Sequence, residues 1–173
     1  MLKKDISCYK ENFFEDLKEK NAILTAGDKK IGFNSLTISW GGIGVLWGVN
    51  VAYIFVRKSR YTHQFLEKSD SVTLSFLDDS YKSAVQYIGT HSGRDEDKIR
   101  NANLTYTYDP DFDGAYIEEA SYCFKMKKLY QINLPMDQYV PLKNQYYKDG
   151  DEHTLFICEI RQYLEKEDFH EIH

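Results

Sequence analysis

Hydrophobic and polar positions change period several times along the chain, and the changes predict its elements. Residues 9–20, YKENFFEDLKEK, set Phe13, Phe14 and Leu17 at helical spacing among charges. That pattern predicts a short amphipathic lead-in helix packed on the rest of the fold or on a partner subunit. From Asn21 an apolar run reaches Gly27, the polar Asp28-Lys29-Lys30 follows, and a second run extends from Phe33 to Trp40. Two runs bridged by a polar turn predict a hairpin. In the second run Leu36, Ile38 and Trp40 alternate with Ser35, Thr37 and Ser39, so a strand here has one core face and one small, hydroxylated face.

Gly41-Gly42-Ile43-Gly44 then predicts a turn, and residues 49–56, β-branched and aromatic on both faces, a central strand. Residues 63–68 take a helical pattern and 71–77 alternate as a strand. Residues 80–88 form a second helix closed by Gly89, and a polar loop covers 90–99. Further strands are expected at 120–126, 129–134 and 153–160, with Asp149-Gly150-Asp151 turning into the last. Strands outnumber helices without regular strand–helix alternation. This predicts a mostly β fold, a β-barrel with inserted helices, in place of a doubly wound parallel sheet. The expected organisation is a lead-in over 1–20, one barrel domain over 21–164, and a charged, frayed tail over 165–173.

Composition narrows the functional classes. The 173 residues suffice for one domain with its own core. The 27 acidic residues outnumber the 22 basic ones, giving a net charge of −5. That balance argues against nucleic acid or a membrane surface as partner, because both are polyanionic. Any anion site must therefore be local. Cys8, Cys123 and Cys158 are odd in number and far apart, so neither a disulfide framework nor a CxxC motif is present, and a reducing cytoplasm is expected. No segment has the roughly 18–20 apolar residues of a membrane span.

Against that acidic background, Val56-Arg57-Lys58-Ser59-Arg60-Tyr61-Thr62 packs three cations into four residues between a strand end and a helix start. Taken alone it reads equally as a solvated loop or as an anion site, where hydroxyls, free backbone N–H groups and guanidinium groups converge on a phosphate. Ser92-Gly93-Arg94-Asp95-Glu96-Asp97-Lys98 offers a second set of donors, or else an N-capped surface helix with Arg94 and Lys98 on one face. The histidines at 63, 91, 153, 170 and 173 show no HxxxH or HExxH spacing, so no metal site is expected. No GxSxG, GxxxxGK[ST] or GxGxxG motif occurs.

Taken in order, the 33–44 segment, the 56–62 segment, the 92–98 segment and Asp151-Glu152-His153 resemble the flavin reductase-like family, particularly its flavoredoxin-type branch. The resemblance spans about residues 20–162. It implies an FMN-binding split β-barrel with Greek-key-like topology and a homodimer with flavin sites near the subunit interface. By similarity, Asn34, Ser35, Leu36 and Thr37 present backbone and hydroxyl groups to the isoalloxazine and ribityl portions. Arg57, Ser59, Arg60 and Thr62 hold the phosphate, while Ser92, Gly93, Arg94 and Lys98 close over the flavin. Trp47 or Tyr61 contacts the ring or the phosphate pocket, and His153 lies at the nicotinamide approach. The implied activity passes a hydride from NADH or NADPH to flavin, and onward to free flavin, ferric iron or a redox protein. The rival reading is an FMN-bound electron carrier without direct NAD(P)H reactivity.

The chain departs from that family pattern at several positions. Lys58 stands where the branch often has Pro, Leu36 for a common Met, and Asn103 for a Gly. Ile88 stands where related chains often carry Cys, which weakens any thiol relay. Cys158 replaces a Gly in the last strand.

Overall fold

The computed structural model describes residues 1–135, 145–147 and 149–167. Strands β1 (Leu2–Lys4), β2 (Ala22–Asp28), β3 (Gly32–Ile38), β4 (Gly41–Leu46), β5 (Val49–Arg57), β6 (Ser71–Phe76), β9 (Tyr122–Asn133) and β10 (His153–Glu165) form one sheet. Its order is β3-β2-β6-β9-β10-β5-β4, with β1 added to β10, and every pairing is antiparallel. The two ends of this path, β3 and β4, are consecutive in the chain and separated only by Ser39 and Trp40. The sheet must therefore curl until its ends meet, and the result is a barrel split between β3 and β4. The predicted β-barrel with inserted helices is this fold.

One face of every long strand lines the interior. Ala22, Leu24, Leu36, Ile38, Ala52, Ile54, Val72, Leu74, Phe124, Met126, Phe156 and Cys158 share a single core, as period-2 alternation requires. A second core lies outside the barrel wall. Ile23 meets Val85 and Ile88 of helix α3 (Lys82–Thr90), Ile99 of helix α4 (Lys98–Asn101), and Ile117 of the β7 (Tyr106–Asp109) and β8 (Gly114–Ile117) hairpin. β2 is consequently covered on both faces.

Several expectations shift. The helix expected over 9–20 is only α1 (Phe13–Glu15) followed by a wider turn over Asp16–Lys20, and β1 makes the start of the lead-in part of the sheet. Phe13 and Leu17 bury on the barrel, but Phe14 is 85% exposed, because one short turn has room for a single i,i+4 stripe. The glycines at 41, 42 and 44 form edge strand β4 and no turn; the hairpin bend is Trp47-Gly48, both at positive φ. Their missing side chains make room for Tyr53 of β5, whose ring a Cβ at Gly44 would meet at 3.4 Å. β5 is thus next to the edge and not central. Gly89 lies inside α3, which it does not close; a Cβ there would meet Thr37 Cβ at 3.2 Å, so the glycine lets the helix press on β3. The strands expected at 120–126 and 129–134 are one twelve-residue strand, β9, whose second half is largely exposed and so reads as polar. Asn103 adopts φ 55, the left-handed conformation that suits Asn best after Gly. Glu165 ends β10 buried against Lys4, while His170, His173 and the rest of the expected tail from residue 168 lie outside the described residues. Among the described residues no helix is long and apolar enough to cross a membrane.

Candidate functional site

The loop after β5 and the loop after α3 meet over the outer end of β3. The loop after β5 turns sharply into helix α2 (His63–Lys68): Arg60 N–H donates to the Arg57 carbonyl at 3.1 Å and His63 N–H to the Arg60 carbonyl at 2.9 Å. Lys58 N–H donates to the Glu152 carbonyl, and Ser59 N–H to the Asp151 carboxylate. The free backbone N–H groups expected here are therefore largely taken, which leaves anion attraction to the side chains.

Asn34 ties the two loops to the barrel. Its amide donates to Thr62 Oγ1 at 2.7 Å, and Gly93 packs so closely that a Cβ there would lie 2.1 Å from Asn34 Oδ1. Gly93 is required for this approach. Arg94 stacks over the Tyr61 ring at 5.2 Å and reaches the Ser59 carbonyl. The helix after this loop starts at Lys98 under an Asp97 cap, so Arg94 and Lys98 do not share a helix face as the surface-helix reading requires. Ser92 Oγ accepts from Arg94 N–H within the loop.

Lys98 is the least expected feature. Its side chain turns inward and is only 4% exposed, with the ammonium donating to the carbonyls of Ile88 (3.0 Å) and His91 (3.1 Å). An ammonium has three donors, and the third has no acceptor among the described residues. Burial, and then the charge of Arg60, push its pKa down to about 8. Arg60 is likewise half-buried, donates to the Gly89 carbonyl at 2.9 Å, and is depressed by burial.

These groups border two adjoining cavities that share Leu36 and Arg60 as walls. One, of about 210 Å³, is lined by Ser59, Arg60, Tyr61, Thr62, Ser92, Arg94 and Lys98. The other, of about 230 Å³, is lined by Leu36, Thr37, Trp40, Phe55, Arg57, Arg60, Gly89 and His153. The first is cationic and hydroxylated, the second flatter and aromatic. Such a pair suits a ligand with an anionic group at one end and a ring at the other.

Other predicted residues take different positions. Ser35 faces away from both cavities: its hydroxyl hydrogen-bonds with Thr25 (2.7 Å) and Tyr106 (2.8 Å) inside the wall. Thr37 lines the second cavity, but its Oγ1 donates to the Val85 carbonyl at 2.6 Å, anchoring α3. The hydroxylated face of β3 thus serves the helix layer, because strand alternation puts it opposite Asn34 and Leu36. Arg57 lines the second cavity, but its guanidinium clamps the segment before β10, donating to the Asp151 (2.7 Å) and Tyr146 (2.9 Å) carbonyls over the Tyr147 ring. Lys58 points to Glu152. Trp47 sits at the tip of the β4–β5 hairpin, 64% exposed and packed edge-on to Tyr130, and lines neither cavity.

His153 pairs with Arg57 in the β5–β10 register, its ring 5.1 Å from Trp40 and its Nδ1 2.7 Å from the Tyr147 hydroxyl. Burial, and next Arg57, push its pKa down to about 4, so it is neutral near pH 7. Sequence reasoning assigned Trp40 to the core. In the structure it lies beyond the end of β3 and walls the second cavity.

The chain belongs to the flavin reductase like domain family, whose profile matches residues 15–172. Among solved structures it is similar to flavoredoxin of Desulfovibrio vulgaris (Miyazaki F), at 22% identity over 96% of this chain and 78% of that one, with a TM-score of 0.69. It is also similar to an FMN-binding protein from Thermus thermophilus (19% identity, 96% and 82% covered, TM-score 0.67). A third is an NADH:FAD oxidoreductase of Streptomyces globisporus (16% identity, 84% and 74% covered, TM-score 0.62). At these identities the likeness is one of fold. No curated protein matches the chain.

Proposed function

We propose that this protein is an FMN-dependent oxidoreductase that passes a hydride from NADH or NADPH to flavin and on to free flavin, ferric iron or a redox protein. The observation that carries the reading is the pair of adjoining cavities, one ringed by Arg60, Arg94 and Lys98 beside Thr62, the other walled by Leu36, Trp40 and His153. The buried Lys98 ammonium, with a donor to spare, fits a phosphate: an anion there offsets the cost of burying the charge.

FMN, when bound, supplies the hydride-accepting ring, and the protein supplies orientation and charge. Arg60, Arg94, Lys98 and Thr62 would hold the phosphate, and Gly93 lets their loop close against Asn34. Leu36 and Trp40 provide apolar surface for the ring. Neutral His153 contributes packing and a hydrogen-bonding edge, and carries no charge near pH 7. The carrier reading remains the rival, favoured by the likeness to flavoredoxin.

A homodimer is part of the proposal. Edge strand β4 and its bend expose Val45 and Trp47, the outer half of β9 exposes Leu129, Tyr130 and Ile132, and Trp47 meets Tyr130 edge-on, apolar surface of the kind that associating chains cover. Sedimentation of the wild type as a dimer, and of Trp47→Glu as a monomer, would support it. Three free cysteines suit a reducing cytoplasm.

The deciding experiment is spectroscopic. A yellow protein, or one that takes up added FMN, bleached anaerobically by NADH or NADPH, supports the reductase. A yellow protein inert to both supports the carrier, and a colourless protein that takes up no FMN overturns both.

A further inference from the structure

β10 begins at His153, directly opposite Arg57, so the residues just before it must cross the loop that follows β5. Asp151 makes the crossing contact. Its Oδ1 accepts from Ser59 N–H at 3.1 Å and its Oδ2 from Ser59 Oγ at 2.6 Å, while its backbone carbonyl takes an Arg57 N–H. Its negative charge also reaches Arg60 and His153, favouring the protonated form of each. Ser59 lines the cationic cavity with Arg60 and Thr62. A carboxylate therefore stands beside the cavity where Arg60 and Lys98 donate to backbone carbonyls, and it holds a donor that a bound phosphate needs.

We propose that Asp151 is an internal anion that competes with the ligand's phosphate and sets how strongly a phosphorylated flavin is held relative to its dephosphorylated form. The inference rests on the FMN reading. A serine hydroxyl has one proton to donate, so Ser59 serves either Asp151 or a phosphate at any moment. A phosphate dianion entering the cavity also meets the like charge of the carboxylate at short range, whereas an uncharged ribityl chain does not. Asp151 thereby weakens FMN binding selectively and favours a flavin that exchanges over one that is permanently held.

The test compares FMN with riboflavin by fluorescence quenching for the wild type, Asp151→Asn and Asp151→Ser, each checked by circular dichroism and melting. Asn keeps an acceptor for Ser59 N–H but removes the charge and releases the hydroxyl; Ser keeps a short polar group and serves if Asn does not fold. The proposal expects FMN affinity to rise about tenfold in either variant, the size of one like-charge contact near a surface, with riboflavin affinity within about twofold of wild type. A folded variant whose preference for FMN over riboflavin is unchanged or reduced overturns the inference while leaving FMN binding intact. A wild type that binds neither flavin overturns the FMN reading and the inference with it.

Discussion

Two cation-bearing cavities border this barrel, and they differ in what faces the cations. The larger, about 580 Å³, lies between the β7–β8 hairpin and the sheet and is lined by Lys3, Lys125, Lys127 and Arg161. There most cations meet a carboxylate: Lys125 pairs with Asp109, Lys3 lies 3.9 Å from Asp111, and Arg161 lies 2.7 Å from Glu159. In the smaller cavity beside Thr62, Lys98 and Arg60 donate to the backbone carbonyls of Ile88, His91 and Gly89. A carbonyl satisfies a hydrogen bond without cancelling a charge. The first cavity is therefore an internally balanced network, and the second keeps positive potential for a ligand. Size alone would select the balanced one.

The contrast can be broken most forcefully at Lys125. Lys125→Met should lower stability by about 3–5 kcal/mol, because it strands Asp109 in a partly buried site, and this is read from a chemical denaturation midpoint. The same variant should bind FMN as the wild type does wherever it remains folded. At the other cavity the effects should reverse. Arg60→Ala with Lys98→Met should weaken FMN by about 3 kcal/mol, two charge-assisted hydrogen bonds, with little loss of stability. A stability loss without an affinity loss in that double variant would erase the distinction between the cavities.

Gly93→Ala sharpens the geometry. Its methyl would collide with Asn34 Oδ1, so the loop must lift from Thr62, and FMN affinity should fall by about 2 kcal/mol, the cost of overpacking. Titration with FMN measures it. The smallest effect is the pH dependence of the unliganded protein. Lys98 has its folded pKa near 8, against an ordinary 10.5, so the unfolded chain binds the extra proton between those values. Stability should rise with pH across that window as the penalty for burying the ammonium is relieved, by on the order of 1–3 kcal/mol. Lys98→Met should show no such rise, and thermal melts from pH 7 to 10.5 report both. FMN affinity should fall in the same window, as the ammonium loses its proton.

Much of this was legible in residue order. Alternation at Leu36, Ile38, Val72, Leu74, Phe124 and Met126 places the barrel strands, and Ser59 and Arg60 of the first charged segment border one cavity with Ser92, Arg94 and Lys98 of the second, while Arg57 and Lys58 turn to the segment before β10. The hairpin at 106–117 and the edge strand at 41–46 were not legible. The first is short, ends its first arm on Asp109 and carries Asp111 and Asp113 between its arms. The second is built on glycines, which lack the side chains from which a two-residue period is recognised. Ser35 illustrates the limit at the site. The sequence locates its hydroxyl on the small, polar face of a strand, and only the packing of α3 and Tyr106 makes that face interior.

By itself the sequence determined the period of each strand, the local concentration of cations in an acidic chain, and the glycine that allows the 92–98 loop to approach. These are properties of neighbours along the chain. Tertiary structure alone decided which charges would be cancelled. Lys98 closes a polar loop and Lys125 sits between Phe124 and Met126 in a strand, yet neither neighbourhood tells which partner its ammonium meets. One folds against carbonyls across α3, and the other against a carboxylate sixteen residues away. Whether a buried cation becomes a structural pair or a binding group depends on what the fold brings within about 3 Å of it, because charge compensation acts through space and at short range.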